Sequence, residues 1–231
     1  MKLKLLFLST LLFCFTSTFS QEKDERSYIL KLNATSLVDG FSFPTVQLAL
    51  ERKFNKSFSV QGEFGLQLYE LGQSVDTVSL DAKGFRAMAE GRFYFLNYYK
   101  KDKNQKRISD GVYVGIQLFY RENQFSRNTN YYFEDSENEN LYEDNFDVKK
   151  NIFGANLALG FQKQFGHFVL EPYMYIGIMK RDIKNIDRSY DPDLGHLEDN
   201  GPHDFFGDTD MHESSGYKAN FSFGLRIGYR F

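Results

Sequence analysis

The chain of 231 residues contains no tryptophan and a single cysteine, Cys14. Past its N-terminal stretch it has no run approaching the roughly 18 apolar residues of a membrane-spanning helix. Its formal net charge is −3, so neither sign dominates and no basic surface for nucleic acid stands out. With Cys14 in a stretch expected to be removed, no disulfide can support the remaining chain. Stability must then come from burial, backbone hydrogen bonds or a lipid surrounding. What the chain has in excess is Phe (25) and Tyr (15), residues that suit strands and interfacial belts.

Lys2 and Lys4 open the chain, an apolar run follows from Leu5 to Phe15, and Thr16 to Ser20 is small and polar. Thr18 and Ser20 stand at −3 and −1 of a cut before Gln21. This is the layout of an export signal over residues 1–20, leaving one domain over 21–231. A membrane anchor is disfavoured, because the apolar run falls short of the roughly 20 residues a helix needs. Lipid attachment at Cys14 is disfavoured because Phe13, not a small residue, precedes it.

From Tyr28 onward the hydrophobic period is two, the period of a strand. The clearest case is Phe221 to Phe231. There Phe221, Phe223, Leu225, Ile227, Tyr229 and Phe231 alternate with Ser222, Gly224, Arg226, Gly228 and Arg230. The same alternation starts at Tyr28, Val46, Phe58, Phe85, Val112, Phe153 and Phe168, which gives eight strands of about ten residues, the length of a tilted bilayer crossing. Asp39-Gly40, Asn55-Lys56 and Gly166-His167 read as turns. Pro172 falls on an apolar face and marks a bulge or a weak rung. Leu37–Thr45, Gly72–Gly84, Glu122–Lys150 and Asp182–Ser215 read as long polar loops. The basic Tyr98–Asp110 link is long for a turn at the opposite end.

Period two does not say which face points outward, and a soluble barrel or sandwich with an apolar inside has the same pattern. The polar face is rich in Gly, Ser, Gln and charge, which a narrow interior can hold, whereas it could hardly hold this many Phe rings. The loops also alternate long and short. The expected fold is therefore all-β, an eight-stranded antiparallel up-and-down transmembrane β-barrel, apolar outward, with Phe and Tyr girdles at its two boundaries.

Lys31–Asp39, Val46–Arg52, Phe58–Phe64, Gly111–Gly115, Phe168–Tyr173 and the terminal Phe231 together resemble a family of small bacterial outer-membrane barrels of unknown function. That family is similar in form to the OmpX and OmpA transmembrane domains. The resemblance covers nearly all of the chain after residue 20. It implies residence in the outer membrane of a Gram-negative envelope, contact with outer-membrane lipid and lipopolysaccharide, and insertion by the barrel assembly machinery. Phe221, Phe223, Leu225, Ile227, Tyr229 and Phe231 would be the insertion signal. It implies no catalytic residue and no cofactor.

The polar face carries Lys31, Glu51, Glu63, Arg86, Glu90, Arg92, Arg121, Glu171, Arg226 and Arg230. Charges in a narrow interior must be paired. A packed ion network is favoured over a solute path, with Glu63, Glu90 and Arg226 touching opposite charges and with Glu63, Glu90 and Glu171 as partners for Arg226 and Arg230. His196, His203 and His212 lie among Asp191, Asp193, Asp199, Asp204, Asp208 and Asp210, in no recognisable ligand spacing, so a solvated acidic loop outweighs a metal site. Tyr131-Tyr132-Phe133 with Glu134, Asp135, Glu137 and Glu139 could form an adhesive surface, and a hydrated loop is the alternative. His212-Glu213-Ser214 resembles the His-Xaa-Ser of outer-membrane lipid A deacylases, but the last strand supplies no carboxylate to complete a triad. The expected role is non-enzymatic: structural, surface-interacting or passing small solutes. A lipid-modifying enzyme and a soluble secreted barrel binding an apolar ligand are the alternatives. No external loop partner can be named.

Overall fold

The computed structural model describes residues 28–38, 44–55, 57–67, 83–95, 111–133, 141–191, 193, 195–197 and 213–231. The export signal, the Asp39-Gly40 turn, the Tyr98–Asp110 link, most of the Gly72–Gly84 loop and half of the Asp182–Ser215 loop lie outside them.

Among the described residues one antiparallel sheet contains β1 (Tyr28–Asn33), β2 (Val46–Lys53), β3 (Phe58–Leu66), β4 (Lys83–Phe93), β5 (Gly111–Phe133), β6 (Leu141–Phe165), β7 (Phe168–Ile186), β8 (Gly195–Leu197) and β9 (Ser214–Arg230). The order is β4-β3-β2-β1-β9-β7-β6-β5-β8, and β4 also pairs with β5. Hydrogen-bonded neighbours thus run in a cycle. A 3-10 turn, Thr35–Val38, follows β1.

The expected eight-stranded up-and-down transmembrane β-barrel is corrected on two counts. There is a ninth strand, β8, and it joins β5 out of sequence, through Tyr131↔Leu197, Tyr132↔His196 and Phe133↔Gly195. The strands also do not close into a barrel over their height. β1 meets β9 only from Ile29↔Arg230 to Asn33↔Arg226. Beyond the bond from Ala34 N–H to Leu225 O (2.9 Å), the upper half of β9 has no strand neighbour on that side among the described residues. The physical cause is the Thr35–Val38 turn, which takes the chain away from β9 while β9 continues upward.

A further correction concerns length. Glu122–Lys150 is not simply a loop: β5 and β6 continue to pair as far as Tyr132↔Leu141. β7 likewise runs on to Ile186 and β9 starts at Ser214. Above the row of Tyr120, Phe153 and Lys180 the two faces exchange character. Below it, Ile116, Leu118, Leu157, Ile176 and Ile178 point outward and are exposed. Above it, Phe125, Phe146, Val148 and Ile183 point inward and form a buried cluster, while Gln124, Lys149 and Lys184 face out. The fourth strand ends at Phe93.

Three local devices set the lower end. Asn55 Oδ1 accepts from the N–H groups of Ser57 and Phe58, both at 2.8 Å, and closes the β2–β3 turn. Gly166, at φ +64°, opens the two-residue β6–β7 connection, a position where a side chain is strained. Pro172 lacks the N–H that would face β6, and the β6–β7 ladder passes from Gly160↔Tyr173 to Lys163↔Leu170 without rungs at Phe161 and Gln162.

Candidate functional site

The inward positions of six strands converge on one ionic cluster. β1 supplies Lys31, β2 Glu51, β3 Glu63, β4 Glu90 and Arg92, β7 Glu171, and β9 Arg226; the charged side chains of all seven residues are at most 2% exposed. Strand alternation alone puts them there, because each has the same parity as the buried inner face of its strand.

Glu171 is the hub. Arg92 grips it with two parallel bonds, Nη1 to Oε2 and Nη2 to Oε1, each 2.9 Å. Arg226 Nη1 reaches Oε1 at 2.9 Å, and Lys31 Nζ donates to Oε2. Glu51 accepts from Lys31 at 2.6 Å and from Arg92 at 3.3 Å. Glu90 takes Arg92 Nε at 2.7 Å, and Glu63 takes Arg226 Nε at 2.8 Å.

Neutral groups complete the set. The Tyr94 hydroxyl lies 2.8 Å from Glu51 Oε1, Tyr113 lies 3.1 Å from Glu171 Oε1, and Tyr175 donates to Glu90 Oε2. Asn33 donates to Glu63 Oε1 at 3.1 Å, and Gln162 to Glu51 Oε2 at 2.9 Å. Both oxygens of each of the four carboxylates therefore have a donor. The rings also carry the cations: Arg226 stands 3.8 Å over Tyr173, Arg92 4.5 Å over Tyr113, and Lys53 3.9 Å over Tyr94. With Lys53, four cations face four carboxylates.

The remaining sequence candidates lie elsewhere. Arg86 and Arg121 are direct cross-strand neighbours higher on the inner face. With the Gln47 amide turned to satisfy both its ends, it donates to Glu63 Oε1 at 2.8 Å and accepts from Arg86 at 3.2 Å. Arg230 is at the lower end and donates to Gln164 Oε1 at 3.1 Å. Phe221, Phe223, Ile227, Tyr229 and Phe231 are exposed on the outer face of β9 and beyond it, with Leu225 between them half-buried.

Periodicity singled out the charges except Lys53, and named none of their neutral partners. Tyr94, Tyr113, Tyr173, Tyr175, Asn33, Gln61 and Gln162 share the inner parity, and that parity was the available signal. Of the loop candidates, His203, His212, Asp199, Asp204, Asp208 and Asp210 lie outside the described residues, as do Glu134, Asp135, Glu137 and Glu139. His196 pairs through its backbone in β8. Asp191 Oδ1 accepts from Asp193 N–H at 2.9 Å, a local turn bond. Among the described residues no group of three or more His, Cys, Asp or Glu is arranged to hold a metal. Glu213, between His212 and Ser214, accepts from the Asn185 N–H at 2.8 Å.

No protein-family model matches this chain. No curated protein matches it either. Among solved structures, a major outer membrane protein from Thermus thermophilus aligns over 90% of this chain and 100% of its own, at 12% identity and a TM-score of 0.39. A likeness of that size transfers neither fold nor function.

Proposed function

We propose that the protein is a non-enzymatic, membrane-associated envelope protein whose outer apolar face is covered by lipid and whose ionic core is structural filling. One observation carries this reading. Ile116, Leu157, Ile176 and Phe221 form a single row across four strands and are 63%, 64%, 58% and 62% exposed. Large apolar side chains so exposed, in a continuous belt, mark a surface that something apolar covers. Beneath that belt the interior is charged, the reverse of a soluble core.

The ionic cluster supports a structural role over solute passage. Its carboxylates and cations are interlocked and sealed from solvent, so a permeating ion would have to displace charge pairs rather than pass beside them. The cluster also lacks a nucleophile with a free base beside it. An outer-membrane location, contact with lipopolysaccharide and insertion by the assembly machinery through Phe221–Phe231 belong to the same proposal.

Flotation of the purified protein with phospholipid vesicles on a density gradient tests it. Co-flotation that survives high salt and carbonate is expected. Recovery at the bottom of the gradient would remove the lipid-covered surface. Large steady conductance in planar bilayers would remove the structural reading of the core.

A further inference from the structure

The register of the sheet collects lysines just above the apolar belt. Lys83 pairs with Gln124, Gln124 with Lys149, and Lys149 with Lys184, in one row across β4, β5, β6 and β7. Strand parity puts all four on the outer face. Lys180, on the same face of β7 as Lys184, stands opposite Phe153 at the top of the belt. The Lys149 and Lys180 side chains are 37% and 46% exposed, and Lys184 is exposed as well. Like charges directly opposite one another destabilise an antiparallel pair, so the Lys149↔Lys184 rung is unfavourable unless an anion lies over it.

The acids flanking this row, among the described residues, are Glu122 and Asp182 below it and Asp147 above it. Each is held by neutral donors of the sheet. Glu122 accepts from the Tyr120 hydroxyl at 3.1 Å, and Asp182 from the Ser215 hydroxyl. Asp147 accepts from the Ser126 hydroxyl at 2.7 Å and from the Gln124 amide at 3.1 Å. The lysines approach less closely: Lys149 lies 3.4 Å from Glu122, and Lys180 lies 3.6 Å from Asp182. An ammonium carries three donors, so one loose contact leaves the others turned away from the sheet.

We infer that Lys149, Lys180 and Lys184 form a docking surface for the phosphate groups of anionic lipid headgroups. Such docking rests on the lipid-covered belt proposed above, and it names what the upper edge of that belt meets. Two observations favour this occupant: the charge is complementary, and the surface is continuous with the apolar face. Lys180 lies at the boundary row itself, and Lys149 lies four residues above Phe153, roughly 13 Å along the strand. The headgroup layer of one leaflet is roughly 5–8 Å thick, and a flexible lysine stem can lie back toward the apolar residues to reach it. Lysines held at this level gain from an anionic lipid surface, and the gain fades within a Debye length. A phosphate over the Lys149↔Lys184 rung would also relieve the repulsion between the two ammonium groups.

The test reconstitutes the full chain in phosphatidylcholine bilayers carrying a trace of spin-labelled lipid, and reads the motionally restricted lipid by electron spin resonance. Labelled phosphatidic acid and phosphatidylglycerol are expected to be enriched beside the protein at least roughly twofold over labelled phosphatidylcholine. Molar salt should remove most of that enrichment, because exposed charges are screened. Lys149→Gln combined with Lys184→Gln should abolish most of it, and Lys149→Arg combined with Lys184→Arg should keep it. Both double variants change outer-face side chains only and leave the buried ionic cluster untouched. Equal restriction of anionic and zwitterionic labels, or a preference unchanged in the glutamine variant, would overturn the docking surface while the belt stands. No restricted lipid of either kind would remove the belt, and the docking surface with it.

Discussion

Glu171 accepts from Arg92, Arg226 and Lys31 at once, and all four charged ends are fully buried. Removing its charge leaves three cations facing the remaining carboxylates with no hub. Glu171→Gln is expected to cost about 3–5 kcal/mol, the usual penalty of stranding a buried charge. Urea denaturation of the protein in micelles would report it as a lowered midpoint with an unchanged slope. Position matters more than charge as such, since Arg230, on the same parity of the same strand as Arg226, lies at the partly exposed lower end beside Gln164. The charged members of the cluster other than Lys53 were legible from alternation, because a narrow interior forces them to pair; Lys53, at the end of its strand, was not. The four tyrosines share that parity, but alternation does not say which charge each ring or hydroxyl meets, as Tyr94 meets Glu51 and Tyr175 meets Glu90.

At the scale of the strand, the informative event is the exchange of faces in β5, β6 and β7. Apolar residues leave the outer face after Tyr120 and reappear inside at Phe125. Sequence periodicity loses the strand there, because a pattern that changes phase reads as an irregular polar stretch. Substitution separates a loop from a strand with its own core. Phe125→Ala should cost about 3–5 kcal/mol, as in any packed interior, where a solvated loop would tolerate it. Differential scanning calorimetry would show the loss. The same extension ties β7 to β9 through Asp182. The Ser215 hydroxyl, followed by Lys180, holds its carboxyl below the ordinary range. A carboxyl depressed in this way contributes stability above its unfolded value and loses that contribution as pH falls through its folded value. The Asp182 carboxyl resonance should therefore titrate at a lower pH than a free aspartate, and Ser215→Ala should move it upward. An unmoved midpoint in that variant would remove the link. At the opposite end, Gly166→Val places a β-branched residue at φ +64° and should destabilise by about 1–2 kcal/mol.

For the whole molecule, the outer belt sets the terms. Leu157→Lys puts a charge in the middle of the exposed row and should cost about 2–4 kcal/mol in a lipid bilayer. In water an exposed lysine there would be near neutral, so refolding into vesicles compared with detergent-free buffer distinguishes the two surroundings. Closure of the sheet was the least legible property. Alternation reports each strand alone, whereas closure depends on where the neighbouring strand stops, and β1 stops at Asn33 because of a four-residue 3-10 turn.

The change of faces at the Tyr120, Phe153 and Lys180 row also acts as a waterline. Sliding the molecule deeper into lipid would submerge Gln124, Lys149 and Lys184, and raising it would lift Ile116 and Leu157 into water. Both displacements would be uphill, so a chain seated in lipid as proposed would set its own draught. In the proposed lipid setting, the upper sheet would stand clear of the bilayer with the Phe125, Phe146, Val148 and Ile183 cluster inside it, holding its outermost residues above the surface.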